Sequence, residues 1–103
     1  MKWVVVGGKY PYEGALIYSS DASNWTKSST KTLWLSLIIW NGKQFLATGL
    51  DGRAFISIDG VQWQAHVTSF SAFSDLIWDG RRYLALCKTD VITSENGIDW
   101  ILA

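Results

Sequence analysis

The sequence predicts an all-β fold of four-stranded antiparallel meanders, the blades of a β-propeller, and three observations carry that prediction. A seven-residue signature recurs: Ser19-Ser20-Asp21-Ala22-Ser23-Asn24-Trp25, Ser57-Ile58-Asp59-Gly60-Val61-Gln62-Trp63 and Ser94-Glu95-Asn96-Gly97-Ile98-Asp99-Trp100. Its tryptophans fall about 38 residues apart, a period typical of blades and solenoid units. Asn41-Gly42 and Asp79-Gly80 are strong hairpin signals, because both central positions of a type I′ turn need positive φ. The stretches between turns are short and rich in β-branched and aromatic residues, which leaves no room for a helix of ordinary length.

The repeat reaches beyond the signature. Trp40-Asn41-Gly42-Lys43 aligns with Trp78-Asp79-Gly80-Arg81, and Phe45-Leu46-Ala47 with Tyr83-Leu84-Ala85 and with Trp3-Val4-Val5. Residues 1–103 therefore read as one propeller segment: a partial blade at 1–30, then full blades at 31–68 and 69–103. The second unit predicts strands A to D at 34–40, 43–49, 53–58 and 62–67, and the third at 72–78, 82–87, 90–94 and 98–102. The first unit has only B, C and D. Strand A of the second unit has five apolar side chains among the six of Leu35 to Trp40, as expected where both faces are covered by neighbouring sheets.

The signature sits on the C-to-D hairpin of each unit, and there it resembles the Asp-box, or BNR repeat, of sialidase-like propellers. The spacing Ser-x-Asp-Gly-x-x-Trp is similar to a variant found in bacterial and phage repeat proteins. Ala22 stands where the first box should have glycine, and Asn96 where the third should have aspartate. The resemblance assigns a structural role to Ser19, Asp21 and Trp25, to Ser57, Asp59, Gly60 and Trp63, and to Ser94, Asn96, Gly97 and Trp100. The physics agrees. A short carboxylate or amide bonds backbone N–H groups two residues on, and glycine supplies φ values that other residues avoid. Each tryptophan would then pack inward, removing on the order of 150 to 250 Å² from water. One carboxylate per box is too few ligands for calcium, so no metal and no cofactor is expected.

Composition excludes several function classes. Nine basic and nine acidic residues balance to zero formal charge, so the chain lacks the electrostatic footprint expected for nucleic acid or an anionic membrane. The N-terminal residues lack the apolar core of a signal peptide and no run approaches transmembrane length, which predicts a cytoplasmic protein. The single cysteine, Cys87, aligns with Gly49 and is read as a small apolar filler.

Closed propellers usually need four to eight blades, and fewer than three are encoded here. Apolar faces left open at both ends of the arc predict assembly into a homo-oligomer, a dimer as first expectation. The alternative is a fragment of a longer propeller, or a deliberately shortened one, with no ligand function of its own. Ligand-binding candidates lie where the repeats disagree. The insertion Lys9-Tyr10-Pro11-Tyr12-Glu13-Gly14 puts Tyr10 and Tyr12 in a B-to-C connection, where they are either a contact surface or a cap on the incomplete first blade. Arg53 opens strand C of the second unit. His66, the one histidine, lies in the variable stretch between strands D and A, and Trp34, replaced by Ala72 in the next repeat, is a candidate for stacking between blades.

Catalysis is not expected. The resemblance implies three arginines on a substrate carboxylate, a Tyr–Glu nucleophile pair and an acidic donor, whereas this chain has only Arg53, Arg81 and Arg82, two of them adjacent at the opposite turn end. Paired carboxylates for ordinary glycoside hydrolysis are not evident either, although Asp75 interrupts strand A where it could face a central channel. A glycosidase is the least favoured alternative. The expected class is a binding or scaffold module, with a glycan or a protein as ligand.

Overall fold

A computed structural model describes residues 3–10, 12–49, 52–70 and 72–103. Within them lie eleven strands and no helix. The first sheet holds β1 (Trp3–Lys9), β2 (Glu13–Ser19) and β3 (Thr26–Lys27). The second holds β4 (Leu35–Trp40), β5 (Phe45–Gly49), β6 (Arg53–Ser57) and β7 (Gln64–Val67). The third holds β8 (Asp75–Trp78), β9 (Tyr83–Cys87), β10 (Asp90–Ser94) and β11 (Ile101–Leu102). Each is an antiparallel meander with its strands in chain order, as the repeat predicts.

Register settles the alignment of the units residue by residue. Trp3 pairs with Ser19, Phe45 with Ser57 and Tyr83 with Ser94, so in every unit the first aromatic of one strand stands opposite the signature serine of the next. Three predicted details differ. The last strands of the second and third units are shorter than expected, because the signature loop keeps the chain through its tryptophan and leaves only a few residues to pair. The hairpins after β4 and β8 are not two-residue type I′ turns: only Gly42 and Gly80 have positive φ there, at 97° each. Asn41 Oδ1 instead accepts the backbone N–H of Lys43 and Gln44, both at 2.9 Å, and Asp79 Oδ1 does the same for Arg81 and Arg82. The side-chain cap holds a longer connection, so the second positive φ is not needed. Strand A of the second unit is also less covered than expected, since Trp40 is exposed and Leu37 to Ile39 are half-buried.

The sheets stack through β1, β4 and β8, the neighbouring strands of successive sheets. Alternation sends successive side chains of one strand to opposite faces, so the middle sheet feeds two cores. Ala47 and Phe55 meet Leu16 and Val6 of the first sheet together with Leu35, Ile38 and Trp63. Leu46, Ala54 and Ile56 meet Tyr83, Ile92 and Trp100 of the third. Fully burying one such large side chain stabilises by roughly 1.5–3 kcal/mol, which makes these two seams the main adhesive of the fold. The backbone crosses them as well: Gly14 N–H donates to Thr32 O at 3.0 Å, and Phe73 N–H to Gly49 O at 3.2 Å. Beside the bulge between Leu35 and Leu37, the Trp34 carbonyl lies so near Gly49 that a Cβ there would collide with it, whereas the equivalent position in the third unit holds Cys87. Burial of that thiol, with Asp90 nearby, pushes its pKa up.

Candidate functional site

The three signatures share one hydrogen-bonding plan. Ser19, Ser57 and Ser94 each donate a hydroxyl to the next polar side chain, to Asp21 at 3.0 Å, Asp59 at 3.0 Å and Asn96 at 3.1 Å. The same hydroxyl oxygens accept the N–H of Ala22 at 2.9 Å and of Gly60 and Gly97 at 2.8 Å. Asp21 Oδ1 accepts from Ser23 and Asn24, Asp59 Oδ1 from Val61 and Gln62, and Asn96 Oδ1 from Ile98 and Asp99, all between 2.8 and 3.0 Å. These backbone donors hold the Asp21 and Asp59 carboxyls below the usual carboxylate range. In all three loops the serine and the following Asp or Asn are thus engaged in fixing the turn.

The tryptophans behind them are not equivalent. Trp100 is 8% exposed and donates Nε1–H to Gly97 O at 3.0 Å. Trp63 is half-buried, and its Nε1 is buried without a hydrogen-bond partner among the described residues. Trp25 does not pack inward as expected: it is 43% exposed, because its face of the first sheet has no sheet against it. Aromatic contacts repeat in step. Trp40, Phe45 and Trp63 form one chain with centroids 4.7 and 6.2 Å apart, and Trp78, Tyr83 and Trp100 form another at 4.8 and 6.0 Å.

The five nominated ligand residues do not converge on one site. Tyr10 lies edge-on to Trp34 with ring centroids 5.4 Å apart, so an exposed tyrosine of the first unit leans on the start of the second. Tyr12 is exposed beside it, and Pro11 lies outside the described residues, as do Leu50 and Asp51 of the equivalent connection in the second unit. Arg53 is exposed at the start of β6. His66 pairs with Ala54 across β6 and β7 and is half-buried in a different place.

That place is a groove of about 460 Å³ between the second and third units, lined among others by Gln44, Asp59, Gln62, Gln64, His66 and Ile98. Gln44 reaches across the seam, donating Nε2–H to Asn96 O at 3.1 Å and to the Tyr83 hydroxyl at 3.3 Å, and so braces one wall. At the corresponding point between the first and second units stands Ser28, the repeat equivalent of His66, which is buried and donates its hydroxyl to Val61 O at 3.3 Å, and Val61 is the equivalent of Ile98. The three glutamines were not singled out from the sequence, which favoured the opposite end of the units. A signal was present, since Gln44, Gln62 and Gln64 align with Arg82, Asp99 and Ile101, and the two units disagree at all three positions.

Comparison with protein-family models, with curated proteins and with solved structures finds no match to this chain. Among the described residues no helix is long and apolar enough to cross a membrane, and no group of three or more His, Cys, Asp or Glu side chains could hold a metal ion.

Proposed function

We propose that this chain is a non-enzymatic binding module of the Asp-box β-propeller kind, taking a neutral carbohydrate in the groove between its second and third units and acting as part of a larger propeller made of several copies. The observation that carries the reading is the contrast between two repeat-equivalent positions, Ser28 buried and bridged to Val61, and His66 lining a groove. A packed repeat needs no such opening, so position 66 differs from position 28 in a way that stability alone does not demand. The lining suits a polyhydroxylated, uncharged ligand: amide groups of Gln44, Gln62 and Gln64 donate and accept, Asp59 accepts, and Ile98 offers an apolar wall. Repetition of weak sites around an assembly would multiply their effect by avidity.

Arg81 and Arg82 follow the Asp79 turn, with their backbone N–H groups on its carboxylate and the Arg82 guanidinium 3.4 Å from it. A glycan array tests the proposal. Binding that disappears in Gln64→Ala and His66→Ala, while Tyr12→Ala keeps it, supports a carbohydrate in this groove. A blank array overturns the carbohydrate reading and leaves protein scaffolding as the function to pursue.

A further inference from the structure

Each sheet has a leading face, turned toward the preceding unit, and a trailing face, turned toward the next. Where two units meet inside the chain, both faces are covered. The third unit leads with Tyr83, Ala85, Ile92 and Trp100, and the second trails with Leu46, Ala54 and Ile56, all of them buried. The repeat identifies the same positions at the two ends of the stack. The leading face of the first unit carries Trp3, Val5, Ile17 and Trp25, of which Trp3 is 42% and Val5 50% exposed. The trailing face of the third carries Ile77, Leu86, Val91 and Ile101, with Ile77 at 50% and Val91 at 51%. Val5 is the equivalent of buried Ala47 and Ala85, and Val91 of buried Ala54 and Leu16.

We propose that the leading face of the first unit docks on the trailing face of the third unit of a second copy of this chain, in the register of the two internal seams. The inference rests on the propeller reading above and adds the partner, the two faces and their polarity. The internal seams identify the occupant, since the chain already shows what covers each of these faces when it is covered. Area points the same way. Each open face leaves roughly 300 Å² of apolar side chain in water, comparable to the largest patches of soluble monomers, which often serve association. A ring of two copies buries four such faces at two junctions, on the order of 1,200 Å² in all, which reaches the lower limit of specific interfaces. It also brings the blade count to about six, within the four to eight of closed propellers. The contact is heterologous, head to tail, so it closes into a ring or runs on as a filament.

Heterologous pairing has a signature that isologous pairing lacks. Val5→Arg spoils the leading face and leaves the trailing face intact, and Val91→Arg does the reverse; both positions are solvent-exposed, so the protomer fold tolerates them. By sedimentation at micromolar concentration the unaltered chain should have a mass of two or more chains, and each variant alone the mass of one. Mixed in equal amounts, the two variants should recover a one-to-one dimer through the single intact junction, with tryptophan emission shifting to the blue as Trp3 and Trp25 are covered. Trp25→Glu and Ile101→Glu form a second pair that should behave alike, and far-UV circular dichroism checks that all four fold. If the unaltered chain has the mass of one chain throughout, self-docking is overturned, while the groove reading still answers to the glycan array. If it assembles but either variant of a pair still self-associates, or mixing restores nothing, head-to-tail polarity is overturned and assembly stands.

Discussion

Ala22 stands where the other two signatures have glycine yet keeps the same hydrogen bonds, and it supports a prediction with opposite signs at two repeat-equivalent sites. Its φ is 64°, beside 78° at Gly60 and 80° at Gly97. For an L-residue the left-handed region costs roughly 1–2 kcal/mol. Ala22→Gly removes that cost while loosening the unfolded chain by about 0.4–1 kcal/mol, for a net gain of about 0.5–1 kcal/mol. The bonds from Ser19 and Asp21 survive because they run to backbone N–H groups. Gly97→Ala pays the conformational cost and meets crowding as well: the new Cβ would lie 3.3 Å from Tyr83 Cε2 and 3.4 Å from both Gln44 Nε2 and Ile56 Cδ1. Tyr83 and Ile56 are core side chains with little freedom to retreat, so the net loss should be about 1.5–3 kcal/mol. Urea unfolding followed by tryptophan emission measures both, at one fixed protein concentration because assembly would couple to stability. A destabilised Ala22→Gly, or a neutral Gly97→Ala, would refute the assignment of these positions to one repeated turn.

Three further outcomes follow from the same geometry. Asp21, Asp59 and Asp79 are held below their ordinary value by backbone donors, so their contribution is complete above about pH 4 and is lost as pH falls through their folded-state values. Melting temperature should be flat between neutral pH and about 5 and fall below about 4, and Asp59→Asn should flatten the fall, as Asn96 already does the same task without titrating. Trp100→Phe should cost at least about 1 kcal/mol more than Trp63→Phe by the same urea assay, because the first strands the Gly97 carbonyl whereas the second removes a buried donor that has no acceptor. Cys87, buried and with its thiol pKa raised by desolvation first and by Asp90 second, should resist a disulfide reagent at pH 8 in the native protein and react at once in denaturant; rapid native labelling would contradict its place in the core.

The positions of the strands were legible because their evidence is local. Gly42, Gly80 and the three signatures mark where the chain must turn, and the pairing of Trp3, Phe45 and Tyr83 with the signature serines lands on the alignment read from the sequence. Burial was not legible, because it depends on what stands in front of a residue. Trp25, Trp63 and Trp100 occupy identical places in their units, and the sequence offers no reason to rank them, yet they range from exposed to buried. The groove was missed for a related reason. Gln44 belongs by sequence to an ordinary hairpin of the second unit, and only the third unit, folded against it, turns its amide into a brace on Asn96 and Tyr83.

The unevenness has a direction, and that direction bears on how the chain is held together. In a linear repeat the stability of a unit is its own plus what each neighbour adds. The third unit has its leading face fully engaged, a clasped tryptophan, and glycine at its box turn; the first has that face open, Trp25 in water, and Ala22 strained at the same turn. Its ties to the rest run through Leu16, the Ser28 hydroxyl on Val61, the Gly14 N–H on Thr32 O and Tyr10 against Trp34. The first unit should therefore be the part that opens most easily in a free protomer. It is also the part that gains most from a sheet laid against Trp3 and Trp25, so hydrogen exchange at β1 to β3 should slow with rising concentration far more than at β8 to β11.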